Sequence, residues 1–353
     1  MINSSKKWGG NERWSVSAAE GLAQRGHEVF LIGPQLFHSQ LSPKVFTFPM
    51  NITHELDLLV YLKLVKIILK ENIEIIIPTR RKEYFMAGII GKVLGIPVFF
   101  RLGIVRKFPK NKLLSRAIYG KLPTGIICNS QEIKNQLLTD EVLSATKIHV
   151  VYNGYQFNKL SSISPSNEYF TFACAGRLTS QKGFDILLQA VKILREKSNR
   201  FHVKIAGEGP LYRQMLTYIQ ENGLQNNVEL LGHISNVVQL FSRADAVVIP
   251  SRNEGIPNVL MEAWSQKKTV IAARSAGIPE AIVDHNNGIL TNLDPESLAQ
   301  KLFFVMHNDT RNLGESGYET LHQKFTLDKM LIALESVFNL ATHKDSSYEE
   351  IKI

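Results

Sequence analysis

The chain has 353 residues, 21% of them charged and 44% hydrophobic, which is enough for two domains with a core each and too apolar for a disordered polypeptide. Its net charge of +9 is lopsided, because residues 1–150 hold 21 Lys and Arg against 11 Asp and Glu. No run of about 18 or more apolar residues occurs, which excludes a bilayer-spanning helix. Met1 to Arg13 also lacks the apolar centre of a secretory signal, so a cytoplasmic chain is expected.

The first half opens on a glycine-bearing loop, Asn3 to Asn11 (NSSKKWGGN), with Gly9 and Gly10 ahead of a helix that runs through Gln24. Candidate strands follow at Glu28 to Gly33, Ile73 to Pro78, Pro97 to Arg101, Gly125 to Asn129 and Ile148 to Val151. A doubly wound sheet normally begins with a strand of about five or six residues, yet only Met1, Ile2 and Asn3 precede the loop. Either the start is truncated or that strand is unusually short. An apolar helix from Asp57 carries Lys63, Lys66 and Lys70. Between Arg101 and Lys121 stand seven basic residues and no acidic one, among them Arg106, Lys107, Lys110 and Lys112, interleaved with Ile104, Val105, Phe108 and Leu113. Such a stretch is either a solvated basic face or a surface for an anionic membrane. Nucleic acid is disfavoured, since no recognised binding motif accompanies the charge. Cys128 and Cys174 each sit inside an apolar run and suit buried thiols better than disulfides or zinc.

Polar, turn-rich residues 153–168 read as a linker. Beyond them the strand Phe170 to Ala175 leads into Gly176-Arg177-Leu178-Thr179-Ser180-Gln181-Lys182-Gly183 and then a helical pattern. Two cations thus stand at the carboxyl end of a strand, the edge at which open α/β sheets bind ligands, and both are natural partners of phosphate. The strand His202 to Ala206 ends in Gly207-Glu208-Gly209-Pro210, a turn that admits close backbone approach. Asp245 to Pro250 (DAVVIP) predicts a buried parallel strand, and Ser251 to Trp264 (SRNEGIPNVLMEAW) predicts a loop and a helix start at Pro257. The amides of Ile256, Asn258 and Val259 would favour a phosphate there. Glu254 lies in the loop, with Glu262 one to two turns into the helix, so one carboxylate can reach sugar hydroxyls while the other takes a ribose diol. Thr269 to Ala272 and the loop Ala273 to Pro279 (ARSAGIP) open another short helix, and the last helical pattern runs from Phe325 to about Ala341.

The segments GRLTSQKGFDILLQA, IAGEGP, LLGHISNVVQLFSRADAVVIPSRNEGIPNVLMEA and AGIPEAIVDHNNGIL resemble, in order and spacing, the donor half of a retaining GT-B glycosyltransferase of family 4, the group 1 glycosyl transferases. The resemblance implies an α/β GT-B fold, two Rossmann-like doubly wound parallel-sheet domains facing each other across a cleft. It gives an acceptor-binding domain at 1–152, the linker at 153–168 and a nucleotide-sugar domain at 169–325. A helix at 326–341 would pack back on the first domain, ahead of a mobile tail at 342–353. It further implies that Arg177 and Lys182 hold the donor diphosphate and that Glu254 contacts the donor sugar, these three being the catalytic set. Glu262 would bind the ribose, with Gly9, Gly10, Gly176, Glu208, Gly255, Ile256, Pro257, Asn258 and Val259 around the donor. Two departures stand out. Ile256 replaces a common phenylalanine. At Phe99 to Gly103 (FFRLG) many relatives place a histidine-glycine pair, leaving Arg101 as an acceptor or phosphate contact.

Three functional classes remain open. One is sugar transfer from a nucleoside diphosphate to a hydroxyl of a glycan or lipid-linked glycan, in cell-envelope polysaccharide or lipopolysaccharide synthesis at the inner face of the cytoplasmic membrane. The others are a nucleotide-sugar epimerase or hydrolase on the same fold, and a non-catalytic sugar-nucleotide-binding subunit. No Gly-x-Gly-x-x-Gly opens either half, which disfavours a nicotinamide cofactor. No Asp-x-Asp motif appears, so the scheme needs neither metal nor cofactor. Retention of Arg177, Lys182, Glu254 and Glu262 favours catalysis over mere binding.

Overall fold

The computed structural model describes residues 1–5, 8–35, 41–104, 116–139, 147–157 and 169–342. The chain divides into two compact units, one of residues 1–154 and 327–353, the other of residues 155–326. The basic residues Arg106, Lys107, Lys110 and Lys112, most of the linker and the tail beyond Thr342 lie outside the described residues.

In the first unit, α1 (Gly10–Gln24) precedes β1 (Val29–Gly33) and β2 (Val45–Pro49). Then come α2 (Leu58–Lys70), α3 (Arg81–Leu94), β3 (Phe99–Leu102), β4 (Gly125–Cys128), α4 (Gln131–Thr139) and β5 (Ile148–Val150). All pairings are parallel, β1 with β2, β3 with β4 and β4 with β5. Between these two groups the sheet is continued by single-residue bridges, Ile2 to both Ile32 and Pro78, and Ile76 to Val98. Met1 to Asn3 therefore runs between the two groups of strands. The Ile2 amide donates to Ile77 O at 2.9 Å, and the Asn3 amide donates to Ile32 O at 3.0 Å. The expected strand Ile73 to Pro78 contributes only those bridges. Asp57 starts α2 because its carboxylate accepts from the Val60 amide at 3.2 Å. Tyr84 on α3 stacks on Phe100 of β3 with centroids 4.6 Å apart, anchoring that helix to the sheet.

The second unit holds β6 (Phe170–Ala175), α5 (Phe184–Lys197), β7 (Phe201–Ala206), α6 (Tyr212–Glu221), β8 (Val228–Gly232) and α7 (Val237–Ser242). It continues with β9 (Ala246–Ile249), α8 (Asn258–Ser265), β10 (Thr269–Ala273), α9 (Ile278–Ala281), β11 (Ile289–Thr291), α10 (Pro295–His307) and α11 (Arg311–Lys324). Its six strands are parallel in the order β11-β10-β9-β6-β7-β8. The chain winds outward from β6 to β8, then returns so that β9 lies against β6, which makes the β6/β9 boundary the topological switch point. Phe172, Phe184, Leu187, Val191, Phe201 and Val203 fill the core beneath. Cys174 lies within β6, where burial pushes its thiol well above the ordinary value.

Strands β2, β8 and β11 were not expected from sequence, and each lies at an edge of its sheet. The unit border also falls differently from the expected linker start. Tyr155 already belongs to the second unit, because its amide donates to Phe325 O at 2.7 Å and its hydroxyl to Ser265 Oγ at 2.9 Å.

The last helix, α12 (Leu327–Thr342), returns to the first unit and packs on α1. Arg25 holds Glu335 by two hydrogen bonds of 2.8 and 2.9 Å and Asp328 by one of 2.7 Å, while His27 reaches Glu335 at 3.0 Å. The hydrogen bond from Arg25 holds the Glu335 carboxyl below its ordinary value of 4.5. A depressed carboxyl contributes stability that is complete above the ordinary value and lost as pH falls through the folded one. Glu335→Gln is therefore expected to cost about 0.5–1 kcal/mol at neutral pH, a figure discounted for solvent screening. The gap should start to close in urea melts as pH falls below 4.5, and the parent and the variant should converge once pH is below the depressed folded value. A gap that persists in acid would show that the pair contributes by packing alone.

Candidate functional site

The loops after β6 and β9 meet at the switch point, and their contacts are specific. Lys182, at the end of a short 3-10 turn (Ser180–Lys182), donates from Nζ to Glu254 Oε1, joining residues 72 positions apart. Glu254 is buried, whereas Arg177 on the same β6 loop is exposed, and its guanidinium has no partner among the described residues. Gly183 follows Lys182 with φ +69°, a left-handed conformation that favours glycine. A Cβ there would stand 1.9 Å from Pro250 O, so the two strand ends approach as closely as backbone allows.

Residues that sequence reading passed over fasten this junction. Arg252 grips Asp185 at 2.7 and 2.6 Å, and also donates to Ser180 O at 2.6 Å. The Arg252 amide donates to Gln181 O at 2.8 Å, while Gln181 Nε2 donates to Asn253 O at 2.6 Å. The hydrogen bond from Arg252 draws the Asp185 carboxyl below its ordinary value, so the clamp stays ionised across neutral pH. The signal was present in sequence as opposite charges beside the two proposed donor contacts, Asp185 after Lys182 and Arg252 before Glu254. Reading it required knowing that the loops touch. From the β10 side, Ser275 Oγ donates to Ser251 O at 2.5 Å and the Gly277 amide to Glu254 O at 2.9 Å.

Helix α8 begins directly after this loop. Gly255, Ile256 and Pro257 are buried, and Pro257 stands at the N-cap, one position ahead of the helix rather than inside its first turn. Asn258 and Val259 open the helix and are half-buried, so the positive end of the dipole begins four residues beyond Glu254. Glu262 follows Asn258 by four residues, which is about 6 Å along the helix axis, and is buried. Trp264, fully buried, pins the far end of α8 by donating to Asn287 O at 3.0 Å. Gly317 of α11 packs against its indole, where a Cβ would meet Cδ1 at 2.2 Å. The β7 loop contributes Glu208, whose exposed side chain tops a backbone that accepts from the Leu178 amide at 2.9 Å; Gly176 lies at the root of the β6 loop.

Chemically, Arg177, Lys182 and the α8 amino end supply positive charge for an anion, and the buried carboxylates Glu254 and Glu262 belong to the same loop and helix. In the first unit, Gly9 is the N-cap of α1 and Gly10 its first residue. Arg101 is buried there and engaged internally. Its Nη1 donates to Asn11 Oδ1 at 2.6 Å and its Nη2 to Asn153 Oδ1 at 3.0 Å, and its guanidinium lies 4.5 Å from the Trp14 ring centroid.

Comparison with known proteins places these features in a family. Residues 8–158 match the family model "Glycosyltransferase Family 4" and residues 169–308 match "Glycosyl transferases group 1". An uncharacterized glycosyltransferase of Methanocaldococcus jannaschii is 33% identical over 237 residues, covering 65% of this chain and 64% of the relative. The capsular polysaccharide biosynthesis glycosyltransferase CapM of Staphylococcus aureus is 24% identical over 236 residues, 61% of each chain. The match thus spans a little under two thirds of either relative's length. The crystal structure of HepE from Anabaena in complex with UDP superposes with a TM-score of 0.82 at 19% identity, over 96% of this chain and 98% of that one. Its architecture is the GT-B fold. With the two models together accounting for most of its length, the chain belongs to the family 4 glycosyltransferases of group 1.

Proposed function

We propose that the protein moves a sugar from a nucleoside-diphosphate sugar to a hydroxyl of a glycan or lipid-linked glycan, with retention at the anomeric carbon and without a metal. The observation that carries this is the junction of Lys182, Glu254 and the α8 amino end at the switch point. HepE, similar in fold, has been crystallised with UDP and with UDP-glucose, and CapM acts in capsular polysaccharide biosynthesis, which supports both the donor class and a cell-envelope product. Catalysis takes place in the cytoplasm, at the inner face of the membrane.

In this reading the bond between the anomeric carbon and the diphosphate oxygen breaks as the acceptor oxygen forms its own bond on the same face. The acceptor proton passes to the leaving phosphate. Negative charge grows on the diphosphate, and Arg177, Lys182 and the amides at Asn258 and Val259 stabilise it without reorganising. Glu254 orients the sugar by its hydroxyls and Glu262 accepts from the ribose diol. Gly176, Glu208, Gly255, Ile256 and Pro257 shape the wall around the donor.

A thermal-shift screen against UDP, GDP and ADP, each with and without a sugar, tests the donor. A ligand present at about 100 times its dissociation constant stabilises by about 2.7 kcal/mol, and one family of nucleotides is expected to raise the melting temperature by several degrees. Absence of any shift would remove the reading. Proton NMR of the product then reports the anomeric configuration, and inversion would refute the retaining step alone.

A further inference from the structure

Tyr155, the first residue of the second unit, is fixed at its backbone and along its ring. Its amide donates to Phe325 O at 2.7 Å, it bridges to Thr326, and its ring meets that of Phe157 edge-on with centroids 5.5 Å apart. The hydroxyl reaches the last turn of α8, where it donates to Ser265 Oγ at 2.9 Å. Ser265 is buried, and its oxygen accepts a second hydrogen bond from Gln266 Nε2 at 3.3 Å. With both acceptor positions filled, the single serine proton has one direction left, and it is donated to Glu262 O at 2.7 Å. That carbonyl is one of the four that a helix leaves without an internal partner at its C-terminus, so the bond closes the last turn of α8.

We propose that Tyr155 is a positioning residue for the nucleoside ribose: through the Ser265 hydroxyl it fixes the last turn of α8, and with it the carboxylate of Glu262. Residues 258, 262 and 265 recur at spacings of four and three and so share one side of the helix. The tyrosine therefore acts on the same side that carries Glu262. Helix α8 has eight residues, too few to keep its shape without tertiary contacts. Without the tyrosine hydroxyl the serine proton can turn away from Glu262 O, while Trp264 stays pinned by Asn287 O and keeps the helix folded. The proposal rests on the reading of Glu262 as the ribose acceptor and extends it to a side chain outside the donor loops.

Calorimetry on the intact chain with UDP, GDP and ADP, each against its 2′,3′-dideoxy counterpart, tests this. The parent is expected to bind one ribonucleotide at least about tenfold more tightly than the dideoxy form, the weight of a charged hydrogen bond. Tyr155→Phe keeps the ring and the backbone bonds, so it should fold. It should bind that ribonucleotide about fivefold more weakly, the value of one hydrogen bond, while its affinity for the dideoxy form stays at the parent's. Ser265→Ala should show the same selective loss, and adding Tyr155→Phe to it should cost no more. A merely structural tyrosine would weaken both ligands alike or neither. Either result overturns the proposal, as would additive losses in the double variant. A parent that binds the ribonucleotide and the dideoxy form equally removes the ribose role of Glu262 and this proposal with it, and one that binds no nucleotide removes the donor reading as a whole.

Discussion

Lys182→Ala is expected to lower turnover about 100- to 1,000-fold, the loss that follows removal of one preorganised donor to a developing negative charge. Its Nζ is fixed by Glu254 and by the Gly183 turn, and the Arg252–Asp185 clamp ties its loop to that of Glu254. The charge is therefore in place before the diphosphate begins to leave, which is the condition for a large effect on the chemical step. Because the change strands a buried carboxylate, folding must be checked by circular dichroism before the kinetics are read. A folded variant that keeps turnover within a few-fold of the parent would show that the leaving charge is met elsewhere.

The two glutamates are expected to fail in opposite directions. Glu262→Gln should weaken donor and bare nucleotide alike by about 1.5–3 kcal/mol, since a charged hydrogen bond to the ribose is present in both the bound and the transition state. Glu254→Gln should instead tighten binding of the bare nucleoside diphosphate while slowing sugar transfer. Glu254 pairs with Lys182, so a diphosphate that binds Lys182 must share or displace it. A partly exposed ion pair is worth about 1 kcal/mol, which corresponds to about fivefold in affinity. Calorimetry with the bare nucleotide decides this, because weaker binding to Glu254→Gln would mean that the carboxylate holds Lys182 for the ligand rather than against it.

How much of this was legible in the sequence depended on burial. The central strands β6 and β9 announce themselves, because strands covered on both faces read as unbroken apolar runs. The strands that escaped, Val45–Pro49, Val228–Gly232 and Ile289–Thr291, are edges. An edge pairs on one side only, so it is either short, as in the last, or interrupted by exposed positions such as Phe46 and Glu229. The candidate site residues were readable one loop at a time from their charge and their position after strands. Their pairing was not, because Lys182 and Glu254 become neighbours only through the return of β9 to the side of β6. The Arg252–Asp185 clamp was hidden for the same reason. Arg101 shows the converse case: an arginine at a strand end was legible as a candidate ligand contact, but its asparagine and tryptophan partners, distant in sequence, were not.

The close seat of Gly317 against Trp264 bears on how the proposed activity could be re-tooled. Glu262 and Trp264 are two residues apart on one short helix, so whatever lifts the indole also tilts the carboxylate. Position 317 looks inert, a glycine in a helix with no chemistry of its own, yet a methyl group there cannot be placed without moving the ring. In a saturation library selected for a new donor base, Gly317 would be scored alongside residues that touch the ligand. The exposed side chains of Arg177 and Glu208 leave the packing beneath them alone, whereas the glycines of the same loops do not yield, since a Cβ at Gly207 would stand 1.9 Å from Gly176 O.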